Sequence, residues 1–218
     1  MSDLSNRRPL KSRGAAWARG LAARLAAARI GPDLISFMSL AVAFVGAGAL
    51  ALSGLTFGAG RVLLLLLAVL AIQLRLLCNL LDGMVAVEHG RAGPLGPLWN
   101  ELPDRFADIL LLAGAGYGAV QADAAFGPAL GWLCAALAVV TAYVRELGRS
   151  LGFPADFSGP MAKPHRMAAL TAAAVLSTLE PLWRGHGQVL MGALAMMSVL
   201  TLWTVGRRLR GIAKQLKG

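Results

Sequence analysis

Charged residues are scarce in this chain, and acidic residues are the scarcest. Asp, Glu, Lys and Arg make up 15% of the 218 residues, against about 25% in a typical soluble domain. Only 11 residues are Asp or Glu, beside 21 Lys or Arg, so the net charge is +10. This shortage argues against an ordinary soluble domain. The 2 cysteines, Cys78 and Cys134, lie in apolar runs, and no disulfide is expected.

Long apolar stretches take the place of the missing charge. Hydrophobic residues make up 57% of the chain, and charge-free runs recur along it. Several approach or exceed the ~20 residues that a helix needs to cross a ~30 Å hydrocarbon core. We therefore predict an all-α polytopic membrane protein with six transmembrane helices, at residues 33–53, 60–82, 100–121, 124–146, 166–183 and 187–206.

Basic segments flank these spans. Residues 1–12 are predicted to be a disordered cytoplasmic tail, and residues 207–218 a basic cytoplasmic tail. In residues 13–30, Leu, Ala and Trp alternate with Arg at helical spacing, which is typical of an amphipathic helix on the membrane surface. The segment 31–206 is then one six-helix membrane domain.

The distribution of Lys and Arg predicts the orientation. They cluster before the first span, after the last and between the fourth and fifth, and only Arg61 and Arg184 fall in the loops of the opposite face. The positive-inside rule then places both termini in the cytoplasm. Since topology explains the positive charge, no nucleic-acid partner is expected. We predict a multi-pass protein of the inner or plasma membrane, surrounded by membrane lipids.

Acidic and amide side chains gather at the inner ends of the second and third spans. Helical spacing puts them on two faces, Asn79, Asp82 and Ala86 on one and Asn100, Asp104 and Asp108 on the other. Opposed, these faces would form an oxygen-rich pocket at the cytoplasmic membrane boundary, suited to Mg²⁺ or Mn²⁺ rather than zinc. Charged residues inside a membrane are costly and by default mark function.

The same stretch resembles the signature of the CDP-alcohol phosphatidyltransferases, D-x-x-D-G-x-x-A-R, then eight residues, then G-x-x-x-D-x-x-x-D. Every spacing is kept without a gap, and the aligned positions are Asn79, Asp82, Gly83, Ala86, Val87, Gly96, Asn100 and Asp104. Asn stands at two of the four Asp positions, and Val87 stands where the family has Arg. The resemblance extends to the architecture, because the family is built of six spans after an amphipathic surface helix.

The resemblance implies roles for the aligned residues. Mg²⁺ or Mn²⁺ would be held at four of them, Asn79, Asp82, Asn100 and Asp104, and the donor would contact Gly83, Ala86 and Gly96. Asp104 would also deprotonate the acceptor hydroxyl. Because the two Asn residues bring no charge, either fewer ions bind or Glu88, Glu101 and Asp108 supply the missing charge. A rival alignment, shifted by one helical turn, makes Asp108 the base.

Simpler interpretations of the same residues stay open. Asn100 would serve equally as the N-cap of the third span. Asp82 and Asp104 would equally form buried ion pairs with Arg75 or Arg105.

A basic loop separates the fourth and fifth spans. Basic residues grouped at a membrane edge suit a phosphate, on the acceptor or on lipid headgroups. The loop also resembles the family's acceptor-binding region, so we predict acceptor contacts from Arg145, Arg149, Lys163 and Arg166. The alternative is that these residues serve topology alone.

The resemblance implies a metal-dependent transferase of phospholipid biosynthesis that passes a phosphatidyl group from CDP-diacylglycerol to a small alcohol and releases CMP. It also implies a homodimer. Transfer of a CDP-linked headgroup to diacylglycerol is one alternative. A non-catalytic lipid-binding relative is another, favoured by the two Asn residues and Val87.

Overall fold

The computed structural model describes residues 14–88, 90 and 95–217, with the side chains of Pro97 and Asn100 left out. Its elements are seven α-helices and one short 3₁₀ segment. In chain order they are α1 (Ala16–Ala27), α2 (Pro32–Ser53), α3 (Gly58–Glu88), α4 (Gly96–Gly118), α5 (Phe126–Ser150), α6 (Lys163–Ser177), the 3₁₀ segment (Glu180–Trp183) and α7 (Gln188–Leu216). The predicted disordered tail at residues 1–12 lies outside the described residues.

Four of the helices are long and apolar enough to cross a membrane: α2, α3, α5 and α7. The prediction of an all-α membrane protein is thus confirmed, although length and composition do not single out six spans. Helix α4 carries Glu101, Asp104, Arg105 and Asp108 among its first 13 residues. Helix α6 has 15 residues, or about 22 Å at the usual rise, which is short of a ~30 Å core.

Several helices extend beyond the predicted spans. Helix α3 continues to Glu88 because Met84 and Val85 are buried among α1 residues, so Asp82 lies within a helix rather than at its end. Helix α4 begins at Gly96, with Leu95 as its N-cap. The interpretation of Asn100 as the N-cap is therefore wrong. Helix α7 continues to Leu216 and includes most of the predicted tail.

Helix α2 packs along both α3 and α4, and α4 packs along α5. Glycines allow close backbone approach at two of these crossings. A Cβ on Gly114 would lie 2.5 Å from the carbonyl oxygen of Ala47 in α2, and one on Gly116 would lie 2.9 Å from the Cα of Gly131 in α5. Any side chain at either glycine would push the helices apart.

Helix α1 lies within the predicted surface segment and packs against the end of α3. Ala18 and Ala22 are buried one turn apart, in a cluster with Leu81 and Met84 of α3. On the other side, Trp17 and Arg19 are exposed. The helix is thus anchored through Ala18 and Ala22, with Leu21 and Leu25 partly buried against the same cluster, and it leaves Trp17 and Arg19 outside.

A buried ion pair joins four elements at the end of the bundle away from the predicted site. Arg61 in the first turn of α3 pairs with Glu180 of the 3₁₀ segment, with Nη2 and Oε2 2.7 Å apart, and their side chains are 2% and 0% exposed. Arg61 also donates to the carbonyl of Ser53 at the end of α2, at 2.6 Å. Glu180 accepts from the N–H groups of Gly187 and Val189 where α7 begins. Arg61 therefore lies in helix α3, whereas the sequence analysis placed it in a loop.

Candidate active site

The predicted faces of α3 and α4 do meet, through Asn79 and Asp104. Asn79 Nδ2 donates to Asp104 Oδ1 at 2.5 Å, and Asn79 Oδ1 accepts from Ser39 Oγ of α2 at 2.9 Å. An aspartate at position 79 would bring two carboxylates together here, whereas the amide donates to one. Asn79 therefore joins α2, α3 and α4 in a single hydrogen-bonded chain.

Asp82 lies one turn further along α3, buried against α2. Its Oδ2 accepts from Ser36 Oγ at 2.8 Å, and its Oδ1 accepts from the N–H of Gly83 at 2.5 Å. Ser36 and Ser39 lie one turn apart on α2 and contact Asp82 and Asn79 in turn. We did not predict these serines. Their i, i+3 spacing in an otherwise apolar helix was the available signal.

Asp104 is surrounded by cations. Its carboxylate accepts from Lys163 Nζ at the start of α6, and from Arg75 Nη2 at 3.3 Å. Arg105 Nη2 lies 3.9 Å away. The Asp104 side chain is 17% exposed, so it remains within reach of the aqueous boundary. The ion pairs considered for Asp104 are therefore present.

Asp108 is buried more deeply and is paired on both sides. Arg75 Nη2 lies 2.9 Å from its Oδ1, Arg166 Nη2 lies 3.0 Å from its Oδ2, and the side chain is 1% exposed. Arg75 thus contacts both Asp104 and Asp108. From the sequence, we considered it only as a possible ion-pair partner of Asp82 or Asp104. Among the described residues, Nε and Nη1 of Arg75 and Nε of Arg166 have no hydrogen-bond partner.

The predicted acceptor residues are all engaged with carboxylates. Lys163 contacts Asp104 and Arg166 contacts Asp108. Arg145 lies 2.7 Å from Glu101 of α4, and Arg149 pairs with Glu146 at 2.9 Å in the last turns of α5. Glu101, a predicted metal ligand, is therefore part of an ion pair that links α4 to α5.

The loop 151–162 between α5 and α6 is fixed onto α7. Arg208 donates to the carbonyls of Ser158 and Thr141, at 3.0 and 3.1 Å, and the N–H of Met161 donates to Thr204 Oγ1 at 3.1 Å. Arg208 is buried, although its position suggested a tail residue. The charged ends of α5 and α6 are consequently held in place by α7.

Asp156 strengthens this loop. Partial burial alone would raise the pKa of the Asp156 carboxyl, but hydrogen bonds from Ser158 and the nearby charges of Arg208 and Arg207 outweigh it and lower the pKa below its usual range. The N–H of Ser158 lies 2.7 Å from Asp156 Oδ1. The ionised form of Asp156 is therefore the one that the folded loop favours.

The oxygen donors of the site fit one divalent ion better than two. In the described part of the chain, no three His, Cys, Asp or Glu side chains are grouped as a metal site. Asp82 and Asp104 offer carboxylates and Asn79 an amide oxygen, which are the hard ligands that Mg²⁺ and Mn²⁺ prefer. Asp108 and Glu101 are held by arginines, and Asp104 would have to exchange its contact with Lys163 for the ion. Two carboxylates balance the charge of a single divalent cation.

The predicted donor contacts border the same region. Gly83 and Ala86 are half-buried on α3, and Gly96 is the first residue of α4. Among the described residues, a Cβ on Gly96 would meet nothing within 4 Å. No side-chain geometry is described for Asn100, and its role as a ligand stays a prediction.

Solved structures of one bacterial enzyme share this architecture. The phosphatidylinositol phosphate synthase of Mycobacterium tuberculosis with CDP-DAG bound superposes with a TM-score of 0.75 over 91% of this chain and 94% of that one, at 19% identity. Its complex with manganese and citrate gives a TM-score of 0.72 at 19% identity, over 89% of this chain and 88% of that one. This likeness confirms the predicted resemblance to the CDP-alcohol phosphatidyltransferases at the level of the fold.

A curated relative is similar in sequence to this chain over part of its length. The bifunctional IPC transferase and DIPP synthase of Rubrobacter xylanophilus is 32% identical over 135 residues, which is 60% of this chain. The matched segment spans only 27% of that relative. No protein-family model matches the chain.

Proposed function

We propose that this chain is a CDP-alcohol phosphatidyltransferase that transfers a phosphatidyl group from CDP-diacylglycerol to a small alcohol and releases CMP. The observation that carries the proposal is the meeting of Asn79 and Asp104, with Asp82 one turn away, at the positions that the family's motif predicts. The fold shared with a structure that contains CDP-DAG supports the same donor.

Asp82 and Asp104 would hold one Mg²⁺ or Mn²⁺, assisted by the amide oxygens of Asn79 and Asn100. Bound there, the ion would neutralise the negative charge of the donor's diphosphate. The manganese complex of the structural neighbour supports a divalent cation. Gly83, Ala86 and Gly96 would leave room for the donor's nucleotide.

Asp104 is the better candidate for the base. Its carboxylate would take the proton of the acceptor hydroxyl, the acceptor oxygen would bond to the lipid-bearing phosphorus, and the bond from that phosphorus to the CMP oxygen would break. Asp108 is held by two arginines and is only 1% exposed, so it is poorly placed to accept a proton. Its proposed role is to fix Arg75 and Arg166.

The basic residues beside Asp104 are candidates for binding the acceptor or the donor phosphates. Lys163 contacts the proposed base directly, and Arg145 is partly exposed beside Glu101. Arg149 lies further out, whereas Arg166 is buried. We therefore assign acceptor contact to Lys163, Arg145 and Arg149, and a supporting role to Arg166.

Two polar clusters at opposite ends of the bundle support six crossings, by α2, α3, α4, α5 and α7 and by α6 together with the 3₁₀ segment that follows it. Asp82, Asp104 and Lys163 gather where α3 ends and α4 and α6 begin. Arg61 and Glu180 gather at the other end. Helices that alternate in this way place the active site on the face of both termini, which the charge distribution assigns to the cytoplasm. A homodimer in the inner or plasma membrane remains part of the proposal.

The test is CMP release by the purified chain in lipid nanodiscs, with CDP-diacylglycerol, Mg²⁺ and a panel of small alcohols. Asp82→Ala and Asp104→Ala should each reduce turnover by at least about 100-fold, since a positioned acid–base group alone contributes on the order of 10²–10⁴. Asp123→Ala, in an exposed turn at the opposite end, is the matched control and should retain activity. Full activity in both site variants would refute the mechanism.

A further inference from the structure

The outward face of the second half of α7 forms a groove that the proposed reaction does not use. It is lined first by apolar and then by basic side chains, namely Val199, Leu202, Trp203, Arg207, Arg210 and Lys214. The opposite face of the same helix is buried against the protein through Thr204 and Arg208. The groove therefore faces whatever surrounds the bundle.

The apolar part of the groove is exposed, as are other apolar side chains on the outside of the bundle. Val199, Leu202 and Trp203 are 68%, 60% and 65% exposed. They share one helix face, at i, i+3 and i+4. In a membrane such a surface is covered by hydrocarbon, and a Trp at its end is typical of the membrane–water interface.

The basic part continues the same stripe. Arg207, Arg210 and Lys214 are exposed, and within the described part of the chain none of them forms an ion pair. The charge of Arg207 helps to lower the pKa of Asp156, but the two side chains lie beyond ion-pair distance. By contrast, the cations of the candidate active site are all paired. Three unpaired cations on one face would be matched by an anion.

Two glycines line the groove, Gly206 between its apolar and basic parts and Gly211 within the basic part. Among the described residues, a Cβ on Gly206 would meet nothing within 4 Å, so a large side chain at this position would fill the groove without disturbing the core. Substitution of Gly206 by a large apolar residue thus blocks the groove without changing its charge.

The dimensions of the stripe fit one leaflet of a bilayer. From Val199 to Lys214 the helix rises about 22 Å, and half of a bilayer with its headgroup region measures about 20–22 Å. Apolar side chains come first and cations last, in the order of an acyl chain and its phosphate. A second copy paired about a two-fold axis through this face would instead bring like charges together.

We propose that this groove binds an anionic phospholipid, with the phosphate among Arg207, Arg210 and Lys214 and an acyl chain over Val199, Leu202 and Trp203. The proposal rests on α7 crossing the membrane as described above, and is independent of the transfer reaction. It concerns a resident lipid rather than the substrate.

Native mass spectrometry of the full chain, with phosphatidylglycerol or phosphatidylcholine added, tests the proposal. The wild type should retain one phosphatidylglycerol in preference to phosphatidylcholine. The triple variant Arg207→Gln, Arg210→Gln, Lys214→Gln should bind it on the order of 100-fold more weakly, because each cation near the membrane surface contributes about fivefold. The matched control is Arg19→Gln, Arg24→Gln, Arg29→Gln, with the same loss of charge on α1 and just after it, and should retain the lipid.

Gly206→Leu provides the second variant, because it leaves the charge unchanged and should still lose the lipid. Equal retention of the two lipids, or unchanged binding in either groove variant, would overturn the proposal. A wild-type dimer that Gly206→Leu dissociates would also overturn it, since the groove would then be an interface between copies. Because neither donor nor acceptor is present, failure here is distinguishable from absence of transferase activity.

Discussion

The ion pair between Arg61 and Glu180 provides a sharp test of how the bundle is held together. In Glu180→Ala the Arg61 guanidinium would stay 2% exposed with no carboxylate beside it. The N–H groups of Gly187 and Val189 would also lose their acceptor. The variant therefore removes the contact that joins the 3₁₀ segment to α3 and to the start of α7.

The expected cost is large. Removing one partner of a buried ion pair typically destabilises a protein by about 3–5 kcal/mol. For a chain of this size, each kcal/mol shifts the melting temperature by roughly 2–4 °C, so we expect a loss of about 6–20 °C. Replacing both partners, in Arg61→Met with Glu180→Leu, leaves no unpaired buried charge and should recover part of the loss, because the N–H groups of Gly187 and Val189 still lack their acceptor.

Thermal unfolding in detergent, followed by circular dichroism, measures the effect. Glu146→Ala is the control, because it removes half-exposed ion pairs with Arg145 and Arg149 that are worth about 1 kcal/mol or less each. A melting temperature for Glu180→Ala no lower than that of the control would refute the reasoning. So would a double variant less stable than Glu180→Ala.

Three further predictions concern the membrane topology, the catalytic base and the loop 151–162. In a background without native cysteines, a cysteine at position 123 should react with an impermeant reagent outside intact cells, whereas one at position 91 should not. Asp104→Asn should lose turnover and keep its fold, while Asp108→Asn should chiefly lose thermal stability. If Asp108→Asn instead loses turnover but binds donor, and Asp104→Asn loses donor binding first, the alignment is wrong by one helical turn. Since the pKa of Asp156 is lowered in the folded loop, its contribution to stability should be complete above its unfolded pKa of about 3.9. That contribution should fade as pH falls through the lower folded value, and Asp156→Asn should remove this acid dependence, measured as melting temperature against pH.

Local spacing explains how much of the site the sequence predicted. Asn79 and Asp82 lie one turn apart, as do Asn100 and Asp104, and the motif's fixed loop length implies that the two helices oppose these faces. The hydrogen bond between Asn79 and Asp104 is the outcome. Helical periodicity and the eight-residue connection of the motif were sufficient to predict this part of the site.

The remaining contacts depend on distant partners that periodicity does not specify. Arg61 and Glu180 are 119 residues apart in sequence, and Lys163 and Asp104 are 59 apart. Whether a cation such as Lys163 meets a phosphate or a carboxylate depends on which helix lies opposite. The sequence identified the basic residues, but their carboxylate partners followed only from the packing.

The helices are longer than the predicted spans for a related reason. A search for charge-free runs ends a span at the first charge, whereas α3 continues past Asp82 because Met84 and Val85 bury against α1. Helix α7 likewise passes Arg207 and Arg208, because Arg208 satisfies carbonyls of the α5–α6 region. Charges paired inside a bundle do not end a helix.

Phosphatidyl transfer is tested most directly by quantifying both products of one reaction. Mass spectrometry should follow CMP and the new phospholipid in one reaction of the purified chain with CDP-diacylglycerol and the alcohol panel. We predict that the two products appear in equal amounts with one or more alcohols when Mg²⁺ or Mn²⁺ is present, and that both vanish in EDTA. CMP without a matching phospholipid, undiminished turnover in EDTA, or no product with any alcohol from a folded, metal-loaded protein would contradict it.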